Sequence, residues 1–129
     1  MMSRQLISSG AIWEDKVGYS RAVKVGNIIE VSGTTATNGD AIVGKGDVYA
    51  QCMYIFEKIE KVLQEAGVGM QDVIRTRTFI TDISRWEEFA KAHAHWFAQI
   101  KPAASLLEVS NLIHPDLLVE IEVTVVTNN

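Results

Sequence analysis

From Leu118 to Val126 the chain alternates without a break, with Leu118, Glu120, Glu122 and Thr124 on one side and Val119, Ile121, Val123 and Val125 on the other. A period of two puts successive side chains on opposite faces of an extended backbone, so the segment predicts a strand with one dry face. That face needs a cover, and two amphipathic stretches supply it. Val48, Cys52, Ile55, Ile59, Val62, Leu63 and Ala66 fall on one stripe at helical spacing and predict a helix from about Asp47 to Ala66. Asp47 suits its N-terminal cap or first-turn anion, and Gly67 suits the left-handed residue that closes the other end. Trp86, Phe89, Ala90, His93, Phe97 and Ile100 make a second apolar face, with Ser84 as cap and Pro102 blocking continuation.

The remaining pattern is extended. Arg21 to Val25 leads through the turn dipeptide Gly26-Asn27 into Ile28 to Gly33, predicting a hairpin. Val73 to Ile80 is rich in β-branched residues and stops at the turn formers Thr81-Asp82. Between Ala36 and Gly46, the runs Asn38-Gly39-Asp40 and Gly44-Lys45-Gly46 predict an exposed loop with a turn at each end, placed to border a ligand cleft. Two strand-helix-strand crossings in succession, each right-handed, put both helices on the same side of a mixed sheet. The expectation is a two-layer α+β sandwich forming a single domain over residues 1–129, since 129 residues without repeat or linker suit one core. A content of 47% hydrophobic residues leaves apolar surface on the uncovered sheet face, and self-association is the predicted remedy.

Several function classes are disfavoured. A net charge of -4 without a Lys/Arg cluster gives no electrostatic footprint for nucleic acid. Met1-Met2-Ser3-Arg4-Gln5-Leu6 has no apolar core behind its charge, and no later apolar run approaches the ~18 residues that span a bilayer, so a cytoplasmic protein without a membrane partner is expected. The lone cysteine, Cys52, sits on the apolar stripe of the first helix, where an inert buried thiol is expected and no disulfide framework exists. His93 and His95 are two apart on a helix and so project to nearly opposite sides, which rules out joint chelation of one metal. His114, beside Pro115-Asp116, has no identifiable partner, and Trp13, Trp86 and Trp96 read as packing residues. No metal and no cofactor are expected.

The run Lys101-Pro102-Ala103-Ala104-Ser105-Leu106-Leu107-Glu108-Val109, followed by the alternating strand, resembles the C-terminal signature of the Rid family, also called YjgF-like or L-PSP proteins. Gly18-Tyr19-Ser20-Arg21, Val31-Ser32-Gly33 and the segment from Asp72-Val73 to Thr81-Asp82 extend the resemblance over nearly the whole chain. It implies a chorismate-mutase-like fold and a homotrimer with sheets facing inward and three ligand clefts between neighbouring subunits. In the imine-deaminating branch the run reads Pro-Ala-Arg-Ser, and its arginine clamps the carboxylate of a 2-imino or 2-enamino acid. Here that position is Ala104, Leu106 stands where a cysteine is usual, and the connection before Pro102 is shorter.

The resemblance carries the water-activating carboxylate to Glu120, the first glutamate of Glu-Ile-Glu. Tyr19, preceded by a glycine in place of the family's proline, matches a cleft tyrosine that stacks on or hydrogen-bonds a planar ligand, and Ser32 and Gly33 match a pair allowing close backbone approach. Ala104, Ser105 and Leu106 would border the ligand, with Ser105, Leu106 and their backbone N–H groups holding a neutral or weakly polar molecule. Read without the resemblance, Glu120 and Glu122 are solvent-facing charges of an alternating strand, Tyr19 is a half-buried strand-start residue and Gly33 a structural glycine.

Hydrolysing an imine requires a water at the C=N carbon, a group that exchanges protons with it, and donors for the substrate carboxylate. Losing the guanidinium forfeits a bidentate contact of about 1.5–3 kcal/mol per charged hydrogen bond. Arg77, which shares a strand face with Arg75, is one replacement cation; the alternative is a pair of surface arginines paired with Glu120 or Glu122. Three readings follow: hydrolytic release of ammonia from reactive imines or enamines, a non-catalytic trimer that binds a metabolite or regulates a partner, and the ribonuclease activity of some L-PSP relatives, which the acidic charge disfavours.

Overall fold

The computed structural model describes residues 3–128; Met1 and Met2, where the reading of the N-terminus begins, and Asn129 lie outside the described residues. In chain order the elements are β1 (Arg4–Ile7), α1 (Ile12–Val17), β2 (Ala22–Val25), β3 (Ile28–Thr34), β4 (Thr37–Asn38), β5 (Ala41–Ile42), α2 (Val48–Glu65), β6 (Val73–Ile80), α3 (Trp86–Phe97), β7 (Ala103–Glu108) and β8 (Val119–Val126). Six strands form one mixed sheet in the order β1-β2-β3-β8-β6-β7, antiparallel except for the β6-β7 pair. The parallel pair is joined through α3, and β8 inserts between β3 and β6, the two strands that α2 connects.

The alternation of β8 decides which face is dry. Val119, Ile121, Val123 and Val125 are fully buried, together with Ile29 of β3, Ile80 of β6, and Ile55, Phe56, Ile59 and Leu63 of α2. Both helices therefore cover one face, and burial of their apolar stripes, rather than intrinsic propensity, holds them there. The α+β sandwich expected from the sequence is the observed architecture. Asp47 caps α2 by accepting from Ala50 N–H at 2.9 Å, and Gly67 follows its end at φ 81°. Gln51, also fully buried on α2, accepts from Leu118 N–H at 2.9 Å and donates to Asp116 O at 2.9 Å, fixing the point where β8 enters the sheet.

Local details depart from the sequence reading. Ser84 does not cap α3: a 3-10 turn at Ile83–Arg85 intervenes, and Ser84 donates its hydroxyl and N–H to Asp82. Trp86 begins α3 but is 52% exposed, because the turn rotates that first position away from the core. The loop at 36–46 holds the small β4-β5 hairpin, and its first residue, Ala36, is fully buried rather than exposed. Lys58 of α2 pins this loop by donating to Thr35 O at 2.8 Å and Thr37 O at 3.0 Å.

Among the described residues neither α2 nor α3 covers the other sheet face. Leu6 of β1, Ile28 of β3 and Leu107 of β7 are exposed on it, flanking a polar centre in which Arg77 Nε donates to Glu122 at 2.6 Å and Thr124 Oγ1 donates to Glu30 at 2.6 Å. Among the described residues no helix is long and apolar enough to cross a membrane.

Candidate active site

The pairing of β3 with β8 slips between Val31, opposite Val123, and Thr34, opposite Ile121. The slip is a bulge holding Ser32 and Gly33, and bulges re-aim side chains beside functional sites. Ser32 ties the bulge to the approach to β2: its hydroxyl donates to Ser20 O at 2.6 Å and its N–H to Arg21 O at 3.0 Å. Glu120 lies over the bulge. A Cβ placed on Gly33 would meet Glu120 Oε2 at 2.0 Å and Cδ at 2.9 Å, so the carboxyl occupies the space a side chain would need.

Glu120 is half-buried, and that burial pushes its carboxyl above the usual range; Arg21 pulls it back and Glu122 adds to the rise. Among the described residues no donor lies within hydrogen-bonding distance of the Glu120 carboxylate. Arg21 approaches from the β2 side, its Nη2 donating to Gly33 O at 2.5 Å while its Nε is buried with no acceptor. Burial lowers the guanidinium, against the raising influence of Tyr19, Glu14 and Glu120.

Tyr19 is positioned by α1. Gly18 closes that helix at φ 90°, a conformation open to glycine and closed to proline, and the N–H groups of Gly18 and Tyr19 both donate to Glu14 O, at 2.8 and 3.0 Å. The Glu14 side chain is buried and accepts from Ser9 N–H at 3.0 Å and Ser9 Oγ at 2.5 Å. Burial pushes the Glu14 carboxyl up, but the Ser9 and Ser8 bonds outweigh it and hold the group below its ordinary value. Tyr19, 38% exposed, thereby lines a concavity of about 560 Å³ together with Glu14, Ser20, Val23 and Ser32. Glu120, Tyr19, Ser32 and Gly33 are thus brought to one end of the sheet.

Ala104, Ser105 and Leu106 are elsewhere. They lie on the edge strand β7, with β6 between them and β8, and pair with Thr76, Arg77 and Thr78. Ala104 and Leu106 share the helix side with buried Thr76 and Thr78, whereas Glu120 is on the open side. Within one protomer these two halves do not meet. Beside Ala104, Thr76 Oγ1 lies 2.9 Å from His93 Nε2 at the base of a groove of about 480 Å³ lined by Phe89, Phe97, Lys101 and Pro102. Burial lowers the His93 imidazole, whose ring packs against Phe89 and Phe97. Ser105 faces the open side and accepts from Arg75 Nη2 at 2.7 Å. Arg77 is committed to Glu122 and reaches Thr124 Oγ1 at 3.4 Å, the surface-pair geometry rather than a free cation at Glu120.

Among the described residues no cluster of three or more His, Cys, Asp or Glu side chains is arranged to hold a metal ion. Sequence reasoning missed Arg21 and Glu14. The signal for Arg21 was its place two residues after Tyr19 in the run Gly18-Tyr19-Ser20-Arg21; Glu14 had none, because its burial follows from the fold of a short helix.

The family model described as Endoribonuclease L-PSP matches residues 13–127. The crystal structure of Rv2704 from Mycobacterium tuberculosis, described as a member of the YjgF/YER057c/UK114 family, superposes with a TM-score of 0.87 at 44% identity, covering 97% of this chain and 100% of that one. The uncharacterized protein SCO2049 of Streptomyces coelicolor is 36% identical over 91% of this chain and 87% of its own length. The 3-aminoacrylate deaminase RutC of Acinetobacter baylyi is 32% identical over 80% of this chain and 82% of its own.

Proposed function

The chain belongs to the endoribonuclease L-PSP family, the Rid or YjgF-like proteins, and from that premise we propose that it hydrolyses reactive imines or enamines in clefts shared between the subunits of a homotrimer. The observation that carries the reading is the Glu120 carboxyl, half-buried, raised, and pressed against a glycine that leaves it room. A carboxylate whose proton affinity is moved toward neutrality is suited to exchange protons with water. The likeness to a relative named as a 3-aminoacrylate deaminase supports the same class of substrate.

In the proposed reaction the substrate enters as the protonated imine: a water oxygen adds to its C=N carbon while the Glu120 carboxylate takes the water's proton, and the π pair goes to nitrogen to give the neutral carbinolamine. Glu120 then passes its proton to the amine nitrogen, and collapse forms the carbonyl and expels ammonia as the hydroxyl proton goes to the Glu120 carboxylate. Tyr19 supports the planar substrate, and Ser32 and Gly33 supply close backbone. The open sheet face supports the trimer: three copies cover each other's Leu6, Ile28 and Leu107, and β7 of one subunit brings Ala104, Ser105 and Leu106 to the Glu120 end of its neighbour. No metal or organic cofactor enters these steps.

The test offers freshly generated 2-aminoacrylate and neutral imines to wild type and Glu120→Gln and follows ammonia. The reading expects a loss of about 10²–10⁴-fold in the variant. Equal rates overturn the role of Glu120, and binding without turnover in wild type replaces the enzyme by a metabolite-binding trimer. Light scattering that finds a lone protomer removes the shared cleft.

A further inference from the structure

Resting on that reading of the site, we propose that Arg21 receives the anionic end of the ligand, so that the site takes a small 2-oxo, 2-imino or 2-enamino carboxylate despite the alanine at position 104. Arg21 and Glu120 meet at one residue: the guanidinium holds the Gly33 carbonyl, while the carboxylate covers the Gly33 Cα. Among the described residues no ion pair joins the two, so opposite charges flank the bulge without neutralising each other by contact.

A guanidinium carries five N–H donors. Here Nη2 serves Gly33 O and Nε is buried without an acceptor, so the N–H groups left for a ligand are on the terminal nitrogens, Nη1 first. A planar fork with open N–H groups is the geometry that matches a carboxylate. Its surroundings fit that role: Glu14 accepts from Ser9 rather than from Arg21, and the second nearby cation, Lys58, adds positive potential from α2 while donating to the Thr35 and Thr37 carbonyls. Tyr19, which influences Arg21 electrostatically, stands at the same end of the sheet for the planar part of the ligand. Substrate orientation follows, with the carboxylate toward β2 and the reacting carbon toward β8. The charge that the edge strand β7 lacks is supplied from the opposite side of the site.

The test is calorimetric titration of the intact protein with pyruvate and its neutral isostere pyruvamide, which carry no reactive imine. Wild type binds the acid at least tenfold more tightly than the amide. Arg21→Gln abolishes that preference while leaving amide affinity within about twofold, and Arg21→Lys keeps part of it through the remaining point charge. An acid preference that survives in Arg21→Gln, or no preference in wild type, overturns the assignment; a variant that only lowers the melting temperature, with the preference intact, counts against it in the same way. The role of Glu120 fails separately, through Glu120-independent ammonia release, and that result leaves the acid-to-amide ratio unchanged.

Discussion

Gly33→Ala separates the stability of the bulge from the chemistry proposed for it. The added Cβ would lie 2.0 Å from Glu120 Oε2, and contacts under 3.0 Å do not persist, so the carboxylate oxygen must retreat by at least 1.0 Å. The atom displaced is the far end of a flexible side chain, and the Gly33 backbone lies outside the left-handed region, so the fold has a cheap response. Moving Glu120 off its rotamer costs about 0.5–1.5 kcal/mol, and the stiffer unfolded chain of an alanine returns about 0.4–1 kcal/mol. Net stability should stay within about 1 kcal/mol of wild type. Catalysis should not, because a displacement of about 1 Å in a catalytic group lowers rate by about 10²-fold. Chemical denaturation and ammonia release from 2-aminoacrylate measure the two quantities on the same preparation. A variant that keeps its full rate means that Glu120 is not held where it acts, and one that loses more than about 3 kcal/mol means that Gly33 is a packing residue; either outcome contradicts the proposed division.

Further predictions use other groups. Glu120 binds its proton more tightly folded than unfolded, so protonation contributes stability that is fully present below about pH 4 and is lost as pH rises through the raised value; relative to Glu120→Gln, wild type should therefore lose stability from acid toward neutral pH in denaturant titrations, and an opposite slope would contradict the sign. Arg77→Ala distinguishes a covered sheet face from a wet one. Truncating one partner of the 2.6 Å Arg77–Glu122 pair costs about 3–5 kcal/mol if neighbouring subunits bury it but under about 1 kcal/mol if water reaches it, so sedimentation and thermal unfolding should show dissociation and a large shift. Cys52 has its thiol pushed up to about 12 by burial, with Glu88 and Asp47 adding to the rise, and should resist a disulfide reagent at pH 8 until the chain unfolds; labelling within minutes of the folded protein would contradict that burial.

Features written in local period were legible before any fold was known. The two-residue alternation of Leu118 to Val126 became β8 with its valine and isoleucine face buried, and the helical stripe from Val48 to Leu63 became the helix that covers it. Side-chain direction repeats within a few residues, so face and layer are legible without knowing what lies opposite. Short elements with little apolar content were not: β1 and α1 have a single buried side chain each, Ile7 and Glu14, and depend on docking rather than pattern.

Which residues meet is set by pairing between distant segments. The β3 bulge sets Gly33 under Glu120, the register of β6 against β8 gives Arg77 to Glu122 rather than to Glu120, and the strand order puts Ala104 two strands from Glu120 and on the other face. The family resemblance pointed to Tyr19, Ser32, Gly33 and Glu120 as one group and included Arg21 only as a member of the run Gly18-Tyr19-Ser20-Arg21, without a role; its approach to Gly33 follows from the fold. Register and bulges depend on contacts between segments far apart in the chain, and a one-residue slip in pairing would exchange every partner while leaving each segment's own period intact.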